Sequence, residues 1–255
     1  VPVTITNPPN IIEKVMPFVG RNHIKLALVD DIAWIGGLSY RDADLVREDF
    51  MMRVADPEVV PILEEVFYTT DYDGITEDKV FDLGDTKVIC DGGRRGQSAI
   101  FDRGIADVRG ASSSVRLISQ YHPNGAMAGA LAFQAEMGRD VLSITSSSES
   151  ISEWFGRVLD RGSIAYSRLQ GQSILTAHSK IRVHAKALLV DVDDPDRAEG
   201  MVGSHNLTRA GVFLGTQEVG LFSRKPEFIA SLRDYFAKVV GRIALEQSVA
   251  LNNEF

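Results

Sequence analysis

The spacing of apolar positions changes several times along the chain, and each change marks an element. Residues 24–36 (IKLALVDDIAWIG) read as two short apolar strands about an Asp-Asp turn. Residues 57–68 (PEVVPILEEVFY) place Val60, Ile62, Leu63 and Val66 near helical spacing. Over 69–97 the chain is punctuated by Asp-Tyr-Asp-Gly, Gly-Asp and Asp-Gly-Gly-Arg-Arg-Gly around a short strand (KVIC), which reads as a boundary. Beyond it the pattern becomes regular: a helix over 98–110, a strand over 114–121, an Ala-rich helix over 126–138, a strand over 141–145 and a helix over 149–161. Strands are expected at 164–168, 182–190, 201–204 and 217–222, and a long amphipathic helix over 226–245. Strands alternating with helices predict an α/β sandwich on a mostly parallel or mixed sheet. The expected division is 1–85 for a first unit and 86–255 for a second.

Composition narrows the chemistry. With 255 residues, 44% of them hydrophobic and 24% charged, the chain has room for two packed lobes and is not a disordered sequence. The single cysteine, Cys90, excludes an internal disulfide and a Cys-based metal cluster; it reads as a small buried hydrophobe. A net charge of −8 argues against a general nucleic-acid binder. No stretch approaches the roughly 18 apolar residues of a spanning helix. His122, His178 and His205 show no metal-ligand spacing and default to packing or surface roles, and neither a metal nor a cofactor is expected. Gly92–Gly96 reads as a solvated linker between lobes, and Met51 and Met52 as core residues.

The informative comparison is of the chain with itself. His23-x-Lys25-x4-Asp30 and His184-x-Lys186-x4-Asp191 share one spacing, with apolar residues between. A single chance match is expected at about 0.01 per chain, so two are poorly explained by coincidence. The echo continues in Gly36-Gly37-Leu38-Ser39 and Gly203-Ser204-His205-Asn206, and an acid follows each, Asp49 and Glu218. Residues two apart on a strand face one way, so each copy aims an imidazole and an ammonium at one point. Two such sets with Ser204 or Asn206 as neutral donors suit a phosphodiester, whose charged oxygens the cations and amides hold. One histidine can attack phosphorus while the other protonates the departing oxygen. Glu218 or Asp49 can fix a ring tautomer from behind.

These paired motifs resemble the phospholipase D superfamily, most closely bacterial cardiolipin synthases and related phospholipase D-like proteins. Arg21-Asn22-His23-Ile24-Lys25 resembles the family's entry to its first motif, Ile35-Gly36-Gly37 its following turn, and Gln120-Tyr121-His122-Pro123 the strand end that opens the second lobe. The resemblance covers roughly residues 15–240. It implies a two-lobe α/β/α sandwich with a pseudo-twofold cleft, mixed sheets and a covalent phosphohistidine, released by water or an alcohol. It assigns His23 as nucleophile, His184 as general acid, and Lys25, Lys186 and Asn206 to the phosphate. Asp30 and Asp191 belong to the catalytic motif but act structurally near the strand ends. Ser39 stands where the family often has Asn, which shortens one substrate donor. Only 22 residues precede His23, against about 86 from the helix at 98 to His184, so the first lobe is expected to lack its N-terminal part.

Three functions are therefore in view. The first is a phosphatidyl transferase or phospholipase acting on phospholipid headgroups, with water or an alcohol as acceptor. It brings peripheral membrane contact and a membrane-associated location through a missing N-terminal segment, with a cytoplasmic location as the alternative. The second is an endonuclease using the same histidines on nucleic acid, for which residues 176–190 supply only Lys180, Arg182 and Lys186. The third is an inactive binding module, which would be expected to have lost a motif His or Lys; all four are present.

Overall fold

The computed structural model of the chain describes residues 22–39, 47–69, 75–147, 154–169 and 182–252. In chain order the elements begin with β1 (Leu26–Val29), β2 (Ile32–Gly36), β3 (Arg47–Glu48), β4 (Met51–Val54) and α1 (Val59–Thr69). Then follow β5 (Lys79–Asp82), β6 (Thr86–Gly92), α2 (Ala99–Gly110), β7 (Ser114–Ser119), α3 (Gly125–Glu136), β8 (Asp140–Thr145) and α4 (Trp154–Leu169). The chain continues through β9 (Arg182–Val183), β10 (Ala187–Val190), β11 (Glu199–Gly203), α5 (Arg209–Leu214), β12 (Gln217–Ser223) and α6 (Pro226–Asn252).

The hairpin expected at 24–36 forms, with Asp30 in the left-handed region (φ 51°) that a tight turn needs and that Asp tolerates. β4 adds to β2 and gives a three-stranded antiparallel sheet, β1-β2-β4. The large sheet has seven strands in the order β5-β6-β12-β11-β10-β7-β8. It is mixed, as one of the expected alternatives has it, but not mostly parallel: only β7 and β8 run parallel, joined by the crossover through α3. The other neighbours pair antiparallel. Strand alternation feeds two cores. Ala187 and Leu189 of β10 face α6, α1 and the small sheet, while Leu188 and Val190 face α2 and α3. Val219 and Leu221 of β12 join the first core, and Phe222 joins the second. Each such buried Leu, Val or Phe side chain is worth about 1.5–3 kcal/mol, and helices on both faces of the sheet complete an α/β/α sandwich.

Three local expectations change. Residues 164–168, expected as a strand, continue helix α4; the lone Gly162 inside it is tolerated at a cost of about 1 kcal/mol. Residues 149–153, the start of the helix expected over 149–161, lie outside the described residues. Gly92–Gly96 is not a linker between lobes: it joins β6 to α2 within the large sheet and its helices, with Gly93 and Gly96 at positive φ. The boundary stretch 69–97 itself carries β5 and β6, both in the seven-stranded sheet. Cys90 on β6 is partly buried, and burial raises its thiol to about 12. Among the described residues no helix is long and apolar enough to cross a membrane.

Candidate active site

Backbone hydrogen bonds repeat residue for residue around the two histidines. Asn22 forms a parallel bridge with Gln217, and Val183 pairs in parallel with Glu48. The His23 N–H donates to Gln217 O at 2.9 Å, and the His184 N–H to Glu48 O at 2.9 Å. Gln217 and Glu48 each immediately precede an acid, Glu218 and Asp49. Gly36 N–H meets Lys25 O at 3.5 Å as Gly203 N–H meets Lys186 O at 3.4 Å. Gly37 N–H donates to Phe50 O and Ser204 N–H to Val219 O, at 3.2 and 3.0 Å. The short segments around positions 23, 36 and 49 are thus related to those around 184, 203 and 218 by a pseudo-twofold. One departure breaks the strand expected at 182–190: the N–H groups of His184 and Ala185 both reach Glu48 O, at 2.9 and 3.2 Å. Two residues opposing one is a β-bulge, a device that re-aims a side chain.

The side chains cross-brace the halves. His23 Nδ1 lies 2.9 and 3.1 Å from the two carboxylate oxygens of Glu218. His184 Nδ1 lies 2.7 Å from Asp49 Oδ2. Each acid therefore serves the histidine of the other half. A carboxylate only accepts, so each Nδ1 carries the proton and each Nε2 presents its lone pair. Lys25 Nζ donates back to His23 O at 2.9 Å, and Lys186 Nζ makes the equivalent bond to His184 O. The lysines are buried (7% and 1% exposed), and of the histidines His23 is the more open, its side chain 26% exposed against 7% for His184.

Burial sets the charge state. It holds the His23 imidazole down to about 4 against the pull of Glu218, with Lys25 adding to the lowering. His184 is held well below the usual range, first by burial and then by Lys186, Lys25 and Arg47. Lys186 is brought down to about 7, by burial first and then by repulsion from Lys25. Glu218 stays well below the ordinary carboxylate range: burial alone would raise it, but His23 as charge and hydrogen-bond donor outweighs that.

The halves differ at one compensated point. A Cβ on Gly37 would stand 2.2 Å from Asp49 Oδ1 and 2.8 Å from His184 O. In the other half the same place holds Ser204, whose hydroxyl accepts the Val219 N–H at 3.0 Å. The equivalent Phe50 N–H donates at 2.9 Å to Asp49 Oδ1. The shorter acid thus sits where the serine hydroxyl sits in the second half, and glycine makes room for it. Before it, Gly36 and Gly203 are alike: a Cβ on either would meet a carbonyl, Phe50 O or Val219 O, at 2.2 Å.

The remaining predicted residues divide. Asn206 is half-buried; its backbone oxygen accepts from Ser119 Oγ at 2.6 Å, and its Oδ1 is buried without a hydrogen-bond partner among the described residues. Ser39 takes the equivalent place in the first half, half-buried at the edge of the described segment. The Ser204 hydroxyl is engaged with the β12 backbone. Asp30 and Asp191 are not brought to the histidines. Seven residues of extended chain, roughly 20 Å, separate them from His23 and His184. Asp30 is exposed in its turn. Asp191 (φ 50°) is buried and ties down the α2–β7 connection through the N–H groups of Ser112, Ser113 and Ser114. These bonds, which outweigh its burial, hold its carboxyl below the usual range. His205 is buried and accepts the Leu207 N–H at Nδ1 (2.8 Å), a packing role. His122 is also buried, and His178 and Lys180 lie outside the described residues. Sequence reasoning passed over Gly37 as a steric necessity, Thr216, which donates to Glu218 Oε1 at 3.0 Å, and Arg47.

Comparison with known proteins identifies the family. Residues 105–240, more than half of the chain, match the family described as cardiolipin synthase, PLD-like domain. No curated protein matches the chain in sequence. The fold is similar to phosphatidylserine synthase from Haemophilus influenzae Rd KW20, with a TM-score of 0.63 and 11% identity over 86% of this chain and 61% of that one. It is similar to polyphosphate kinase from Porphyromonas gingivalis, with a TM-score of 0.55 and 11% identity over 85% of this chain and 32% of that one. Nuc, a phospholipase D family member from Salmonella typhimurium, aligns with a TM-score of 0.44 and 19% identity over 60% of this chain and 93% of that one. The chain thus spans 61% of the length of the synthase it resembles, and at such identities the likeness is one of fold. Two cross-braced H-x-K motifs at the end of a mixed α/β/α sheet, together with a match over more than half its length, place the chain in the cardiolipin synthase, PLD-like domain family of the phospholipase D superfamily.

Proposed function

We propose that the chain is a phosphodiester hydrolase or phosphatidyl transferase acting on phospholipid headgroups, with His23 as nucleophile and His184 as general acid. The observation that carries this reading is the pair of imidazoles, each fixed at Nδ1 by a carboxylate from the opposite half. Such a brace leaves Nε2 with the lone pair that an attack on phosphorus requires, and it also stabilises the imidazolium formed when the ring takes a proton. His23 takes the first role because it is the more open of the two.

In the first step His184 enters the substrate complex carrying a second proton, taken from solvent at Nε2 as the diester binds; His23 Nε2 forms a bond to phosphorus, the bond to the leaving alcohol oxygen breaks, and His184 gives that Nε2 proton to the oxygen. In the second, water or an acceptor alcohol passes its proton to His184 as its oxygen displaces His23 from phosphorus. Lys25, Lys186 and the Asn206 amide hold the non-bridging oxygens, while Asp49 and Glu218 position the rings and Asp30 and Asp191 shape the strand ends. A bound diester also offsets the lysine charges that depress His184, so the substrate itself raises the group that must donate a proton. The lipid assignment draws on the family description and on the net charge of −8, which disfavours a polyanionic partner. A phospholipid substrate brings with it peripheral membrane contact and a membrane-associated location.

The test is incubation of the protein with phosphatidylglycerol vesicles and, separately, with single-stranded DNA. Lipid product is expected, and it should vanish in His23→Asn and in His184→Asn while their circular dichroism and melting stay near wild type. Cleavage of DNA with no lipid product would overturn the lipid assignment. Near-wild-type turnover in either histidine variant would overturn the mechanism.

A further inference from the structure

We infer that the rim formed by residues 75–77, 93–97 and α5 docks the chain on a bilayer surface that carries anionic phospholipid. Phe213 and Ile75 enter the interfacial zone, and Arg95 and Arg209 meet the headgroup phosphates. The inference rests on the phospholipid reading above and deepens it by naming the surface that meets the lipid.

Strand ends place the rim beside the histidines. Gly92, the last residue of β6, pairs with Gln217, the first of β12. Gln217 O accepts the His23 N–H, and Glu218 follows it, so the connections leaving this end of the large sheet border the site. Three of these segments are tied side by side. Thr76 N–H donates to Gly92 O at 2.9 Å, and Gly96 N–H to Val212 O at 2.8 Å. Arg209 N–H donates to Asn124 Oδ1 at 2.8 Å, which fixes the start of α5. The helix is itself bounded by site residues: Asn206 lies three residues before it, and Thr216, which donates to Glu218, two residues after it.

Two large apolar side chains stand in solvent on this rim, Ile75 at 68% and Phe213 at 74% exposed. Arg209 lies four residues before Phe213, so the two share the outer face of the short helix, and Arg209 is exposed as well. Arg94 and Arg95 are exposed in the neighbouring loop. The three segments hold one acid, Glu77, at 3.4 Å from Arg94. The next acid, Asp78, turns inward to the N–H groups of Gly92 and Ala99, at 2.8 and 3.1 Å. Three arginines against one acid make the rim net positive on a chain whose net charge is −8. Cations beside exposed apolar groups suit a phospholipid surface, where the arginines meet headgroup charge and the apolar groups leave water. A nucleic-acid strand fits less well, because Ile75 has no ring to stack on a base. A second copy of the same face would be repelled by the arginines.

The experiment measures sedimentation with vesicles of phosphatidylcholine mixed with phosphatidylglycerol, at low and high salt. Wild type should bind. The double variant Arg95→Gln/Arg209→Gln should bind about tenfold or more weakly at low salt, with the gap closing at high salt. Phe213→Ser/Ile75→Ser should lose about tenfold or more at both. Phe133 and Met137 supply the control: they are 51% and 55% exposed toward the opposite end of the sheet, where α3 leads into β8. Phe133→Ser/Met137→Ser should bind as wild type does. Circular dichroism and melting establish that each variant is folded. Wild type that does not bind, rim variants that bind like wild type, or a control that loses as much as they do would overturn the docking surface. So would an arginine variant that loses single-stranded DNA and keeps its vesicles. Bis(4-nitrophenyl) phosphate, a soluble diester, judges the phosphodiesterase reading separately. The rim variants should retain its turnover, and a loss there matching the loss on vesicles would overturn docking as the role of the rim. No turnover of it by wild type would end the phosphodiesterase reading and leave the docking surface to be decided by the vesicles.

Discussion

At position 37 the chain has no room for a side chain, because Asp49 Oδ1 and the carbonyl of His184 occupy the space a Cβ would enter. Ser204 and Glu218 solve the same problem in the other half with a hydroxyl and a longer acid. Gly37→Ser should therefore push Asp49 off His184 and lower kcat at least tenfold. Gly37→Ser with Asp49→Glu should recover most of that loss, by copying the second half's arrangement into the first. Steady-state kinetics on the two variants decides it, and an Asp49→Glu change that deepens the Gly37→Ser defect would refute the equivalence. The echo of G-G-L-S in G-S-H-N is legible in the sequence, and so are the two H-x-K pairs and both acids. The compensation was not legible, because the partner of Gly37 lies on another strand, and the acid braced by each half belongs to the other half's histidine.

Behind Glu218 stands an element junction that positions the site. Asp91 of β6 is the register partner of Glu218 on β12. Its carboxylate accepts from Ser98 Oγ and from the Ile100 N–H, and Ser98 caps α2 through the Phe101 N–H at 3.0 Å. Burial raises Asp91 to about 7 in spite of these bonds, with Asp78 and Glu218 adding to the rise. The folded chain therefore binds more protons than the unfolded chain between about pH 4 and pH 7. That stability is fully present below the ordinary aspartate range and is lost as pH rises through about 7. Asp91→Asn cannot titrate, so its melting curve should lose this slope, with the wild-type advantage shrinking by an amount on the order of a few kcal/mol over that span. Parallel pH-dependence of melting in wild type and variant would exclude the account. Elements with a long apolar period, such as β10, α1 and α6, can be read from sequence. The two-residue β3 cannot, since its pairing with β9 is made by contact between the halves and not by local pattern. Neither could the continuation of α4 through 164–168, where short apolar runs satisfy both periods.

On the scale of the whole molecule, the site is built from both halves at once, and its burial dictates how catalysis responds to pH. Neither dyad exists within one half: His23 needs Glu218 and His184 needs Asp49, so the packing that buries the shared core also desolvates both imidazoles. A histidine nucleophile works when neutral. With His23 depressed to about 4, the acid limb of kcat/KM should lie near that value. At pH 5 an unshifted histidine would be about 97% protonated, yet this protein should keep a large part of its maximal rate. On the alkaline side Lys186, lowered to about 7, loses its charge as pH rises and with it part of the hold on phosphate that the proposed mechanism gives it. The proton on the donor histidine becomes scarcer in the same direction. The profile of kcat/KM is thus expected to peak on the acid side of neutrality and to fall above about pH 7, measured with a diester whose own ionisation lies far below this range. An acid limb centred between pH 6 and 7 would mean that His23 is solvated in the working enzyme and that the halves do not close over it as described. Glu218→Gln separates the two contributions. It removes the charge that raises His23 and keeps the side chain's size, so the acid limb should move lower still while kcat drops.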